Sequence, residues 1–296
     1  MTELFQLAAN GLVTGSIIAI GAVGVSLVYG ILRIVNFAHG DYLVFGAYVA
    51  LAVNVGWNGH IVLAAVAAVG ATALLGAGLE FALWRPLRRK GAGLFSLFIA
   101  AIGLALVLRH VVFLVGEARP RRYDVDVFQV YDLGGVRLSQ SQLIAIGIAF
   151  SAIVLVAFLL ARTGLGKSMR ALSDDRSLAA VAGIDVDRTV VFTWVLAGGL
   201  AGIAGLLQAL ILSAFTPNFG FALLLPIFAA VVLGGIGSAY GALVGGLVLG
   251  LVMELSTWDA LAGGAPSVYK PVVAFSVLIL VLLLRPQGVF GKARVV

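Results

Sequence analysis

RTGLGKSMRALSDDRSLAAVAG, residues 162–183, lies between two apolar runs: IAIGIAFSAIVLVAFLLA (144–161) and VVFTWVLAGGLAGIAGLL (190–207). Each run has about the length that a helix needs to cross a hydrocarbon layer of ~30 Å. A polar segment held between two such runs is a connection at one membrane face, so this stretch alone makes the chain polytopic. Within it, Ser173 is expected to cap a helix, Asp174 and Asp175 to sit at the positive end of its dipole, and Gly183 to end it. The expected helix, 174–182, groups Leu178, Val181 and Ala182 on one side and sets Arg176 and Ala180 around the rest. A short capped helix with small residues on a polar connection reads as a docking element. The plain alternative is a solvated surface loop.

The composition agrees. Of 296 residues, 62% are hydrophobic and 11% charged, with a mean hydropathy of +1.14. A water-soluble domain of this length needs far more polar surface. Apolar runs recur along the whole length, and the expected fold is an all-α polytopic transmembrane helical bundle. The absence of cysteine excludes disulfides and thiolate metal sites. The net charge of +6 does not point to nucleic acid, because the basic residues gather at the ends of the apolar runs. Residues 1–10 have no basic region and no small-residue cleavage site, so the first run is expected to be a span rather than a cleaved leader.

The expected spans cover 7–32, 42–55, 61–84, 94–115, 143–161, 190–212, a broken segment over 223–255, and 272–284. That is eight or nine crossings, according to how the broken segment is counted, with broken helices in both halves. The first span carries Gly11, Gly15, Gly21, Gly24 and Gly30 and is expected to pack closely against other helices. Behind it, RIVNFAHGD (33–41) sets Arg33, Asn36, His39 and Asp41 between two apolar runs. Polar groups at such depth line a cavity or are buried in protein. The broken segment, interrupted by Pro226, runs into GGIGSAYGA (234–242) and reads as a half-helix pair or a short span turning within the membrane. Residues 36–49 and 234–248 echo one another, each a polar break followed by a Gly-Ala helix. Paired breaks point to a translocation pathway. Its candidate residues are Asn36, His39, Gly40, Asp41, Gly234, Gly235, Gly237 and Ser238.

RPLRRK at 85–90 is the strongest topology marker. Thirteen of the 19 Lys and Arg fall on its side, together with 162–189 and the terminal RPQGVFGKAR; five fall on the other side, and Arg109 lies within a span. The C-terminus and the connection over about 162–189 are therefore expected in the cytoplasm. Residues 116–142, with a hairpin turning at Gly134-Gly135, are expected outside, as is the N-terminus if the crossings number nine. Residues 1–296 then form one transmembrane domain.

No catalytic constellation emerges. ARTGLGKS (161–168) resembles a phosphate-binding loop, but Ala161 replaces its first Gly and a membrane helix precedes it where a strand is required. His39, His60 and His110 are too scattered for a metal site, and neither a GxSxG nor a paired-Asp arrangement falls on the spans. Glu80 and Glu254 lie near span ends, where snorkelling or helix pairing is the default. Arg109 is deeper and reads either as a transport group or as half of a buried ion pair. An ion-coupled secondary carrier would favour more charges deep in several spans, and a membrane enzyme a convergent polar set.

Four stretches together resemble the LivH-type permease subunit of bacterial branched-chain amino acid ABC importers. They are GILRIVNFAHGDYLVFGAY (30–48), RALSDDRSLAAVAGI (170–184), VLGGIGSAYGA (232–242) and RPQGVFG (285–291), in the family's order over almost the whole chain. The resemblance implies a non-enzymatic transport subunit of the bacterial inner membrane. It implies that 170–183 is the coupling loop that docks on ATPase subunits, with Arg170, Ala171, Asp174, Asp175, Ala179, Ala180 and Gly183 as its coupling residues. The implied partners are a second homologous permease, two ABC ATPases, a periplasmic binding protein and the lipid bilayer. This chain is expected to bind no cofactor, with ATP and Mg used by the ATPases. Related permeases carry urea or short amides with much the same motifs, so the resemblance identifies the machine more closely than the cargo.

Overall fold

A computed structural model describes residues 2–125, 129–259, 266–285 and 287–290, apart from the side chain of Leu133. The helices are α1 (Thr2–Leu32), α2 (His39–Leu51), α3 (Ile61–Leu79), α4 (Arg85–Arg89), α5 (Leu94–Gly116), α6 (Gln140–Arg162), α7 (Gly164–Asp174), α8 (Arg176–Val181), α9 (Val186–Leu212), α10 (Phe219–Gly234), α11 (Ala239–Leu255) and α12 (Lys270–Leu284). A two-stranded antiparallel hairpin, β1 (Val130–Leu133) and β2 (Val136–Ser139), turns at Gly134-Gly135 as expected. Six helices among the described residues are long and apolar enough to cross a membrane, and α10 and α11 are shorter apolar helices. With the 13-residue α2, the apolar helices number nine, in line with the expected polytopic bundle.

One boundary differs from expectation. The third span was expected to end at Trp84, yet a π turn over Glu80–Trp84 carries α3 straight into α4 in spite of Pro86. In that turn the Arg85 N–H already reaches five residues back, to the Glu80 carbonyl. The ladder is shifted there, and the N–H that Pro86 lacks is one the first turn of α4 does not need.

Between apolar helices in an apolar solvent no hydrophobic drive remains, and small residues that let backbones touch take over. α1 is buried on nearly every side, and its main partner is α11. Gly11 and Gly15 on α1 face Gly246 and Gly250 on α11. A Cβ on Gly11 would stand 2.9 Å from the Leu251 Cα, and one on Gly250 would strike the Gly15 backbone. α3 and α9 form a second such seam, where a Cβ on Gly76 would stand 2.5 Å from the Trp194 carbonyl. The buried rings of Trp84 and Trp194 stack at 5.5 Å with 3° between their planes.

The two seams belong to a duplication. After α1 the chain takes a left-handed residue, Arg33 (φ 58), and after α9 another, Ser213 (φ 60). Each is followed by a short irregular passage and then by a short helix, α2 or α10, whose second residue is a glycine, Gly40 or Gly220. These glycines pack against each other reciprocally: a Cβ on Gly40 would stand 2.5 Å from the Gly220 carbonyl oxygen, and one on Gly220 would strike the Gly40 carbonyl. α2 therefore corresponds to α10, α3 to α11 and α5 to α12, and the partnerships α3–α9 and α11–α1 are the same contact made twice. The passages lie on opposite sides. Arg33 donates to the Ser173 carbonyl in the polar 162–183 stretch, whereas Phe215 exchanges backbone hydrogen bonds with Arg121 near the hairpin. The halves are thus inverted. The sequence echo paired residues 36–49 with 234–248, but the structure pairs the 33–38 passage with 213–218.

These contacts make a graded test. Gly250→Leu should overpack the α1–α11 seam and cost about 1–3 kcal/mol. Gly70→Ala, at an exposed α3 site with nothing within 4 Å of the added methyl, should be neutral or slightly stabilising. Thermal unfolding of the purified chain in detergent reads both; equal losses would refute the seam.

Candidate functional site

The Gly40–Gly220 crossing brings the first turns of two short helices together inside the bundle. On the α2 side, the Asn36 Oδ1 accepts from the Ala38 N–H at 3.2 Å and shapes the turn into the helix. Asn36 and His39 are each 1% exposed, and Asn36 Nδ2 and His39 Nε2 have no hydrogen-bond partner among the described residues. The imidazole lies against α1, where a Cβ on Gly24 would stand 2.9 Å from its Cε1. Buried polar atoms are nearly always satisfied, so an amide donor and an imidazole nitrogen left open at one junction make it a candidate polar site. Asp41 sits one residue beyond the crossing, near the positive end of α2. Arg109 of α5 holds it in a bidentate pair, Nε to Oδ1 at 2.9 Å and Nη2 to Oδ2 at 3.3 Å. The same guanidinium lies 5.0 Å from the ring centre of Phe221, on the α10 side. Arg109 is therefore half of an ion pair that fastens α5 to both short helices. Glu80 and Glu254 are likewise paired, with Arg88 and with Lys270 at 2.7 Å.

The second polar break lies nearer the polar 162–183 stretch. Gly234 packs on Gly241 as α10 turns into α11, and Gly235 (φ 104) and Gly237 (φ 88) take backbone that side-chain-bearing residues rarely adopt. Ser238 caps α11, its Oγ accepting from the Gly241 N–H at 3.0 Å. The end of α10 is closed by the terminal RPQGVFG motif: the N–H groups of Val289 and Phe290 donate to the carbonyls of Leu233 and Gly234 at 2.8 and 3.1 Å. Carbonyls that a helix end leaves unpaired are thereby satisfied. The basic residues past Phe290 lie outside the described residues.

The polar stretch itself is two helices where one was expected. Thr163 caps α7 by accepting from the Gly166 N–H at 3.1 Å, and Met169 and Leu172 face the core. α7 ends at Asp174. Asp175, rather than Ser173, caps the second helix, its Oδ1 accepting from the N–H groups of Ser177 and Leu178 and from the Ser177 hydroxyl. The Ser177 hydroxyl, then the two N–H groups, hold the Asp175 carboxyl below its ordinary range. The helix expected over 174–182 forms as α8 but starts two residues later, at Arg176, because the extended Asp175 separates it from α7, which was not expected. Gly183 (φ 84) ends α8, as expected, donating to the Ala180 carbonyl. No phosphate cradle exists at 161–168, because Gly166 is wedged against the carbonyls of Leu159 and Leu160.

The segment is tied down at its ends. Arg170 bonds the Leu160 carbonyl, Arg33 bonds the Ser173 carbonyl, and Asp187 at the start of α9 pairs with Arg85. Ala179 is buried beneath α8 and Ala171 is half-buried, whereas Ala180 and Gly183 are exposed. Leu178 and Val181, 67% and 88% exposed, form the apolar tip. They lie on the side the sequence picked out, although neither counted among the coupling residues. The structure therefore joins Gly237 and Ser238 to Arg170 and Asp174 around one cavity of about 670 Å³. It holds Asn36, His39, Gly40 and Asp41 apart, at the helix crossing. α1 links the two levels, touching His39 at Gly24 and Gly237 at Gly30, about 9 Å apart along the helix.

Residues 7–282 match the family described as the branched-chain amino acid transport system / permease component. The chain belongs to this family. The permease BraD of Pseudomonas aeruginosa, from a high-affinity branched-chain amino acid transport system, is 34% identical, the match covering 100% of this chain and 99% of BraD. LivH of Escherichia coli K12, named for the same kind of system, is 32% identical over 97% of this chain and 95% of its own. The ribose import permease RbsC of Escherichia coli K12 is 28% identical over 90% and 82%. Among solved structures, PsaBC from Streptococcus pneumoniae in complex with Fab shares the fold, with a TM-score of 0.51 at 15% identity, over 94% of this chain and 91% of that one.

The LivH-type permease is thus a membrane transport subunit of an ABC importer and not an enzyme. Its buried ion pair can be tested on its own. Arg109→Leu, which leaves Asp41 buried and uncompensated, should cost about 3–5 kcal/mol, and adding Asp41→Asn should restore most of the loss. A double-mutant cycle on detergent-purified protein measures this; additive losses would show that the pair is not coupled.

Proposed function

We propose that this chain is one of two homologous membrane subunits of an importer for branched-chain or other hydrophobic amino acids in the bacterial cytoplasmic membrane. The second permease, two ABC ATPases and a periplasmic binding protein complete the machine. This chain binds no nucleotide, and ATP with Mg is used by the ATPases. Substrate handed over outside passes the crossing of α2 and α10, where Asn36, His39, Gly40 and Asp41 line or brace the route. It leaves past the Gly234–Ser238 break.

The observation that carries this reading is the α7–α8 segment. It is anchored by ion pairs and hydrogen bonds at its roots yet presents an apolar tip, Leu178 and Val181, that is exposed among the described residues. On the face that the basic clusters assign to the cytoplasm, such a tip suits a groove on a soluble ATPase, with Ala180 permitting close approach and Gly183 setting the exit. Arg170, Ala171, Asp174, Asp175 and Ala179 hold its shape. The similarity to BraD and LivH, spread over the full length, supports the cargo class. A second reading, urea or a short amide as cargo, fits the same machine through the motifs that such permeases share.

Leu178→Asp and Val181→Asp should leave the permease inserted while lowering ATPase co-purification and leucine uptake about tenfold, as loss of an apolar anchor does. Full ATPase retention and transport in both variants would reject the docking role. The orientation has a separate check on this naturally cysteine-free chain. A cysteine at Arg88 should be shielded from an impermeant thiol reagent applied to intact cells, and one at Arg119 should react. The reverse pattern would invert the topology.

A further inference from the structure

The cavity of about 670 Å³ opens between the end of α1, the α6–α7 corner and the α10–α11 break. That size lies within the range of small-molecule sites. Two guanidinium groups flank it, those of Arg33 and Arg170. Among the described hydrogen bonds each uses one donor on a backbone carbonyl, and a guanidinium has five. At its inner end lies Ser26, fully buried, whose Oγ has no partner among the described residues. The hydroxyls of Ser16, Thr72 and Thr193 bond the carbonyl one turn back; the Ser141 hydroxyl shares the lack of a partner with Ser26, but Ser141 does not line this cavity. Asp174 adds a carboxylate to the wall, and Leu27, Ile31, Met169 and Phe290 make the remainder apolar.

Cations for a carboxylate, a buried hydroxyl oxygen that can accept from an ammonium and an apolar wall for a side chain are together the chemistry of a hydrophobic amino acid. We infer that this cavity is a cytosol-facing binding site for such an amino acid, and that its occupant restrains the coupling helix α7. The restraint follows from the geometry, because Arg170 and Asp174 stand on α7 while Ser26 and Arg33 stand on and just beyond α1. A ligand bridging them ties the segment that must move with the ATPases to the most deeply buried helix of the bundle. Accumulated product then slows its own import. The inference rests on the cargo class proposed above.

The experiment uses the assembled importer in vesicles, with liganded binding protein sealed inside and the nucleotide-binding face outside. ATP hydrolysis is followed as L-leucine is added to the outer, cytosolic face, with leucinol, which lacks the carboxylate, as control. The expected result is that leucine suppresses the stimulated hydrolysis and leucinol does not. Arg33→Gln should raise the half-inhibitory concentration about tenfold, as loss of one charge-assisted contact does, with inhibition in each variant read relative to its own hydrolysis rate without leucine outside. Phe290→Ser, at the apolar rim, should raise it as well and carries the test if Arg33→Gln does not assemble. Absence of suppression, equal suppression by leucinol, or unchanged suppression in the variants overturns the inference. Failure of leucine-loaded binding protein to stimulate hydrolysis at all is a different outcome; it refutes the cargo class and the inference with it.

Discussion

The close approach of Gly40 to Gly220 is the contact on which the rest of the arrangement depends. α2 and α10 begin inside the bundle, where an open helix end would leave backbone groups without water. Each first turn packs on the other with no side chain between them, and Asn36 and Arg109 satisfy or neutralise what surrounds them. A methyl group at either glycine would push the helices apart, and with them Asp41, Phe221 and the α5 ion pair. Because the halves are inverted, this one contact serves both. It fixes where α1 and α9 must stop, and the left-handed residues Arg33 and Ser213 turn the chain back toward it.

Charge within the bundle follows the same economy. Asp41, Glu80 and Glu254 are buried or nearly so, and each meets a basic partner. A lone carboxylate at such depth would carry a desolvation cost of several kcal/mol. Pairing removes most of that cost and sets which helices are neighbours: α2 with α5, α3 with α4, α11 with α12. Asn36 Nδ2, His39 Nε2 and Ser26 Oγ are among the buried atoms left without partners among the described residues, and each belongs to a polar group with no formal charge.

The polar stretch between α6 and α9 shows how an external motion can enter. α7 lies on the core through Met169 and Leu172, while α8 stands off it, and the junction is the single extended residue Asp175. Under the proposed docking role, force applied at Leu178 and Val181 would pass through that junction to α7, then to Ser173 and Arg33 at the end of α1. The α10–α11 break lies across the same cavity, stapled by Val289 and Phe290. One small volume thereby joins α7, the central helix α1 and the second half of the duplication.

The sequence by itself determined the membrane class, the helices, the hairpin at Gly134-Gly135 and the chemical character of the polar stretch, because hydropathy, glycine spacing and caps are local properties. It also singled out Asn36, His39, Asp41 and the Gly234–Ser238 break, since polar residues between apolar runs stand out without a fold. It misplaced the end of the third span at Trp84, the cap at Asp175 and the partner of the first break, each of which depends on a geometry that sequence spacing does not encode. Only the tertiary structure decided that Gly40 meets Gly220, that Arg109 belongs to Asp41, and that Ser26, Arg33 and Arg170 share a cavity. Those pairings join residues far apart in the chain, and in an apolar solvent hydropathy gives no preference among neighbours. The choice is made by backbone close approach and by the few charges that must find one another.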